Sequence, residues 1–225
     1  MKESELRLHP DVKAAFRWGD TAEEDIFAGI VTPMQTHTAN VGIVTDPAQS
    51  FPETDALITR LPGVTVGVRT ADCVPILLYA SDIKAVAAVH AGWKGSLHGI
   101  IDNTVNELLR MGADPARIFA AFGPSICGDC YEVSPDLAEM FRNAGFGDCV
   151  SQRLRKDPLT GEDMPAERPH IDLQAVNVRR ILNAGVPQTH IVPSSVCTRH
   201  AASLNLPSYR RLPGTTNRLL TTISL

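Results

Sequence analysis

The chain has 225 residues, 44% hydrophobic and 20% charged, with a formal net charge of -4 at pH 7. At about 150 residues per domain this length builds one large domain or two small ones, and so much apolar material excludes a disordered chain. The mild acidity gives no electrostatic footprint for a nucleic-acid backbone or an anionic membrane, so an anionic substrate has to be held by a few placed cations. The opening Met1-Lys2-Glu3-Ser4-Glu5 has no apolar leader core, and no run approaches the roughly 18 apolar residues of a membrane span; a cytoplasmic protein is the expectation. Its 5 cysteines are an odd number, too sparse for a disulfide scaffold, and fit reduced thiols in a cytosolic enzyme.

Strand patterns, mostly β-branched runs bounded by Gly, Pro or Asp, fall at 41–44, 56–59, 64–69, 74–79, 85–90, 118–122, 191–196 and 219–224. The runs 64–69 and 74–79 are spaced as an antiparallel hairpin. Helical periodicity runs from Ser96, read as an N-cap, through Ile100, Ile101, Val105, Leu108 and Leu109 to Gly112. A second helix opens at Ser134-Pro135 and closes at Gly145, and a third opens at Asp172 and closes at Gly185. This interleaving predicts an α/β fold, a single mixed-sheet sandwich domain over 1–225 with helices packed on the sheets. Residues 151–170, rich in charges of both signs and in proline, read as a surface loop.

Two blocks carry the chemistry: Thr70-Ala71-Asp72-Cys73-Val74-Pro75 and Ala88-Val89-His90-Ala91-Gly92-Trp93-Lys94-Gly95. Cys73 lies in a short break between strands, and His90 ends a stripe begun by Val86 and Ala88 on one strand face. A lone Cys is most often a small core hydrophobe and a lone His a satisfied one. Together they gain weight from Asp72 beside the thiol and from a glycine-bounded turn presenting Trp93 and Lys94. A third group, His37 in Met34-Gln35-Thr36-His37, completes two imidazoles and a thiolate, the ligand number of a catalytic zinc that keeps a fourth position open.

These segments, with Gly123-Pro124-Ser125-Ile126 through Cys130-Tyr131-Glu132-Val133, Asp172-Leu173 and Ser208-Tyr209-Arg210-Arg211, resemble the laccase-domain family once called multicopper polyphenol oxidases. The match runs in order from about residue 30 onward, with TADCVP and HAGWKG its most specific strings. Family members are described as purine nucleoside phosphorylases. The resemblance implies that His37, Cys73 and His90 bind zinc or copper. It also implies phosphorolysis of adenosine, inosine and methylthioadenosine to free base and pentose 1-phosphate, together with adenosine deamination. Two departures stand out: the family's R-x-G-G-V-S-like stretch is reduced to Arg17-Trp18-Gly19-Asp20, and Cys127-Gly128-Asp129-Cys130 separates cysteines that relatives carry side by side.

The old name is not literal, since multicopper centres need many histidines in His-x-His pairs and this chain has 7 with no such pair. The resulting assignment has His37, Cys73 and His90 as ligands of Zn2+, or of copper. Cys73, His90 and Asp72 are the catalytic groups, Trp93 a stacking surface, and Arg210 or Lys94 the phosphate contact, with Arg69 a weaker candidate. The expected partners are a purine nucleoside and phosphate. A second reading makes Cys73 the nucleophile and His90 the base of a metal-free hydrolase acting on an amide or on peptidoglycan precursors. A third uses Cys127-x-x-Cys130 as a thiol redox or binding module, although half a zinc knuckle has the same pattern and no second C-x-x-C exists. His98 is expected at the surface, and His9, His170, His190 and His200 lack any partner pattern.

Overall fold

The computed structural model describes residues 2–19, 29–156, 162–165 and 168–225. Its strands are β1 (Lys2–Glu5), β2 (Lys13–Trp18), β3 (Ile30–Val31), β4 (Val41–Val44), β5 (Ala56–Thr59), β6 (Thr65–Thr70), β7 (Val74–Ala80), β8 (Ala85–Ala91), β9 (Ile118–Phe122), β10 (Val150–Ser151), β11 (Leu154–Lys156), β12 (Asp163–Pro165), β13 (His170–Ile171), β14 (Ile191–Val192) and β15 (Leu219–Ser224). Among the described residues four α-helices accompany them: α1 (Trp93–His98), α2 (Ile100–Arg110), α3 (Pro135–Phe141) and α4 (Leu173–Asn183).

Every residue of β7 and β8 is buried, so this pair is covered on both faces. The two cores follow from alternation. Ile58, Ile76, Leu78, Ala87 and Val89 face Ile101, Val105, Leu108, Phe141, Val176 and Ile181 beneath the helices. Their neighbours Leu57, Leu77, Tyr79, Val86 and Ala88 face the other way, onto Ala14, Val66, Val68 and Ile223 of a second sheet. A six-stranded sheet, β14-β9-β7-β8-β5-β4, thus packs helices on one side and a five-stranded sheet, β1-β2-β15-β6-β3, on the other. The mixed-sheet α/β sandwich expected from the pattern is the observed fold.

The differences in detail have local causes. The runs 64–69 and 74–79 do not form a hairpin: β6 pairs with β15 and β3, β7 pairs with β8 and β9, and the chain changes sheets between them. Ser96 is not an N-cap. It lies inside α1, fully buried, and its Oγ accepts from Asn177 Nδ2 at 2.8 Å, tying α1 to α4. The helix instead breaks at Gly99, whose φ of +82° and proximity to Asp102 Oδ2, 2.7 Å from where a Cβ would stand, suit glycine alone. The caps at Ser134 and Asp172 form as expected, accepting from Leu137 N and Ala175 N. Of 191–196 only Ile191–Val192 is strand, and the described part of 151–170 is not a bare loop, because β11 and β12 pair antiparallel within it. Asp157 and Glu167 of that stretch, and Asp20 of the reduced N-terminal motif, lie outside the described residues. Strands β1 and β2 escaped the pattern because Lys-Ala-Ala-Phe-Arg-Trp carries little β-branching; Glu3 and Arg17, cross-strand partners, are ion-paired at 2.9 Å.

Leu77→Ala and Leu78→Ala, adjacent residues facing opposite cores, are each expected to cost about 2–5 kcal/mol in denaturant unfolding. A loss below about 1 kcal/mol for either would mean that its face of the sheet is not closed.

Candidate active site

Strand β6 ends, β7 and β5 begin and β8 ends at one rim of the sandwich, so short connections there deliver side chains to a shared place. Cys73 sits in the crossover from β6 to β7. Asp72 before it takes the left-handed conformation, φ 92°, and is held from three sides. Its carbonyl accepts from Ile126 N at 2.9 Å, its Oδ1 from Thr198 Oγ1 at 2.6 Å and its Oδ2 from Arg210 N at 2.6 Å. His90 is the penultimate residue of β8 and continues the stripe of Val86 and Ala88 to the rim. His37 arrives on the segment before β4, which Gln35 fastens to β6 by donating to Arg69 O and accepting from Arg69 N, both at 2.8 Å.

Asp55, just before β5, holds this arrangement and was missed in the sequence. A single acidic residue ahead of an apolar run reads as a turn residue, yet its carboxylate is fully buried. It accepts from the backbone N–H groups of Thr36, His37 and Thr38, from Thr38 Oγ1, and from His90 Nδ1 at 2.7 Å. Burial alone would raise its pKa, but the His90 and Thr38 hydrogen bonds hold it at about 2. With Nδ1 donating to Asp55, His90 is left with Nε2 as its free ligand atom.

The ligand atoms of His37, Cys73 and His90 lie within 4.8 Å of one another, and the two imidazoles meet edge to face at 4.9 Å between centroids. Burial works against ionising both Cys73 and His90. Hydrogen bonds and charge from the two imidazoles nevertheless bring the Cys73 thiol down to about 6. The Cys73 thiolate and Asp55 lift His90 to about 9. Gly92 packs against the trio, where a Cβ would stand 2.9 Å from His37 Cδ2 and 3.2 Å from Cys73 Sγ. Two imidazoles and a thiolate, one ring oriented by a carboxylate, fit a zinc ion with an open fourth position, and the same donors suit copper.

The trio opens onto a cavity of about 810 Å³, within the range of small-molecule sites. Of the residues expected there, Asp72, Trp93, Arg210 and Arg69 line it. Lys94 does not: it is exposed outside the cavity, its ammonium 5.6 Å from the Trp93 ring centre. Arg211 is spent on the carbonyls of Thr198 and Leu206. Tyr131, Tyr209 and Arg218 also line it, with Arg210 stacked over the Tyr131 ring at 5.3 Å. Cys127 and Cys130 lie outside it, beside Cys197 and His200.

A mixed-sheet sandwich with a two-His, one-Cys cluster at the sheet crossover defines the class. The family model described as multi-copper polyphenol oxidoreductase laccase matches residues 17–225, and the chain belongs to that family. It is 40% identical over 179 residues, 76% of its length, to adenosine deaminase RL5 of an unknown prokaryotic organism, and 40% identical over 185 residues, 82% of its length, to a purine nucleoside phosphorylase of Deinococcus radiodurans. These matches span 65% and 66% of the two relatives, just under two thirds. Among solved structures it resembles YfiH of Bacillus licheniformis, with TM-score 0.80 and 26% identity over 96% of this chain and 93% of that one. YlmD of Geobacillus stearothermophilus follows, with TM-score 0.78 and 26% identity over 96% and 92%.

Asp55→Asn removes the charge that favours the imidazolium beside Cys73, so the thiol pKa should rise in metal-free protein. The pH of half-maximal Cys73 alkylation, followed by peptide mass spectrometry, is expected to move up by about one unit, a tenfold loss of thiolate at a given lower pH. An unchanged profile would remove Asp55 from the electrostatics of the site.

Proposed function

We propose that this chain is a metal-assisted purine nucleoside enzyme, converting adenosine, inosine or methylthioadenosine and phosphate to free base and pentose 1-phosphate, and deaminating adenosine with water. The observation that carries the reading is the convergence of His37, Cys73 and His90 on a cavity also lined by Arg69, Arg210, Arg218 and three aromatic residues, Trp93, Tyr131 and Tyr209. Relatives named for both reactions support it. Zinc, with copper as the alternative, supplies Lewis acidity toward an electron-rich atom of the substrate when held by the trio.

The remaining work belongs to the chain's own residues. Arg210 contacts phosphate: it lines the cavity with its guanidinium over the Tyr131 ring, and although one NH donates to Glu132 O at 2.9 Å, the rest of the planar fork suits an oxyanion; Arg69 lies nearby as a second cation. Trp93 offers a face for the purine. Tyr131 keeps its proton because burial pushes its phenol up, with the Cys73 charge adding to the effect, so its O–H remains able to donate a hydrogen bond. Asp72 contributes as a positioning residue: both carboxylate oxygens are already engaged, and they fix the Cys73 crossover against the loops of Thr198 and Arg210. The free thiols of all five cysteines suit a reducing compartment such as the cytoplasm.

One observation favours a second reading. Cys73, His90 and Asp55 form a thiol, imidazole and carboxylate chain of the kind a metal-free hydrolase uses. The second imidazole, His37, has no task in that scheme and an immediate one as a ligand.

Chelation is expected to abolish turnover of adenosine with phosphate, and added zinc to restore it; full activity in metal-free protein would overturn the metal-assisted reading. Arg210→Ala keeps the backbone N–H that holds Asp72. It is expected to raise KM for phosphate about 10- to 100-fold, the loss of a charged hydrogen-bonding group, while leaving adenosine deamination, which takes no phosphate, unchanged. Equal losses in both reactions would end the phosphate assignment.

A further inference from the structure

The second Cys/His cluster stands behind the cavity wall. After β9 the chain runs straight enough for Ser125 to bridge Cys197 in parallel, with Ser125 N donating to Val196 O at 3.3 Å and Thr198 N to Ser125 O at 3.0 Å. This sets Cys127 beside Cys197, 70 residues away. Each then enters a tight turn: Cys130 N and Tyr131 N return to Cys127 O at 3.0 and 3.1 Å, and Ala201 N returns to Cys197 O at 2.9 Å. Two turns of the same build present Cys127 with Cys130 and Cys197 with His200. The missing half of the knuckle is therefore Cys-x-x-His rather than a second Cys-x-x-Cys.

The four ligand atoms lie within 4.8 Å of one another. The His200 ring reaches both thiols of the first turn, with Nε2 3.1 Å from Cys130 Sγ and Nδ1 3.8 Å from Cys127 Sγ; one of these nitrogens serves as the ligand. Cys197 Sγ also accepts from Cys127 N at 3.4 Å, a bond that favours a thiolate at this position. The thiols are unpaired with one another, and none of the four residues lines the cavity.

We propose that Cys127, Cys130, Cys197 and His200 hold a structural zinc ion, distinct from the His37–Cys73–His90 cluster. Three thiolates and one imidazole fill a tetrahedral shell and leave no position for substrate, so the ion cross-links rather than catalyses. It joins the loop of Ile126 and Tyr131 to the loop of Thr198, both of which grip Asp72: Ile126 N donates to its carbonyl and Thr198 Oγ1 to its carboxylate. The cross-link thereby fixes the backbone that carries Cys73 without touching the cavity.

Elemental analysis of protein prepared without chelator tests this. The His37→Ala/His90→Ala variant is expected to retain one zinc per chain, and Cys197→Ser to lose one equivalent relative to the unmodified protein. Cobalt(II) loaded into the His37→Ala/His90→Ala variant should give the intense thiolate charge-transfer and tetrahedral ligand-field bands of a three-sulfur site. Should Cys197→Ser fail to fold, stepwise mercurial titration of the thiols in the double variant replaces it, with zinc release expected as the cluster's thiols react. A double variant that binds no zinc, or a disulfide among Cys127, Cys130 and Cys197 in non-reducing peptide maps, would overturn the proposal. Neither result depends on turnover, so failure of the purine nucleoside reading leaves this site standing.

Discussion

A carboxylate taken wholly out of water survives only if its lone pairs are filled, and Asp55 fills them with one imidazole, one hydroxyl and three consecutive backbone N–H groups. Those partners come from two segments with no other reason to meet, the His37 stretch and the end of β8. The left-handed backbone of His37, φ 64°, is affordable because the flanking amides are pinned to this one acceptor. Take the charge away and the segment loses its anchor while His90 loses the orientation of its ring.

The sandwich explains why the site stands where it does. The central strands β5, β7 and β8 are buried on both faces and offer side chains to solvent only at their ends. At the chosen end the chain passes from one sheet to the other, and a crossover between layers necessarily leaves a gap that neither sheet roofs. Asp72 and Cys73 lie in that passage. The walls come in part from loops after β9 and before β15, so recognition is delegated to segments free to vary, while His90 rests on β8 and Cys73 and His37 on short segments fastened to strand ends.

Much of this was legible in the amino-acid order where the information is local. The apolar runs at 41–44, 56–59, 118–122 and 219–224 match their strands in extent, the Ser134 and Asp172 caps are read from single residues, and the convergence of His37, Cys73 and His90 is read from their surroundings. Contacts made across the chain were not legible. Ser96 has the chemistry of a cap, but its hydroxyl bonds Asn177 instead. The 64–79 stretch has the spacing of a hairpin, but each strand finds better partners in a different sheet. His200 showed no pattern because the cysteines beside it are brought together by the pairing of Ser125 with Cys197. Lys94 looked like a phosphate contact because it stands beside Trp93, yet consecutive helical residues point in different directions.

Strand β15 lies between β2 and β6, so residues 220–224 pair with residues 13–17 on one edge and residues 219–224 with 65–70 on the other. Closing nearly the whole chain into a loop precedes any reward from those pairings, and such topologies fold slowly. Until β15 inserts, β2 and β6 present unpaired edges, and Arg218, next to its first residue, has no fixed place at the rim. Assembly of the cavity is therefore a late event, coupled to completion of the five-stranded sheet, and an incompletely folded chain displays sticky strand edges before it has a binding site.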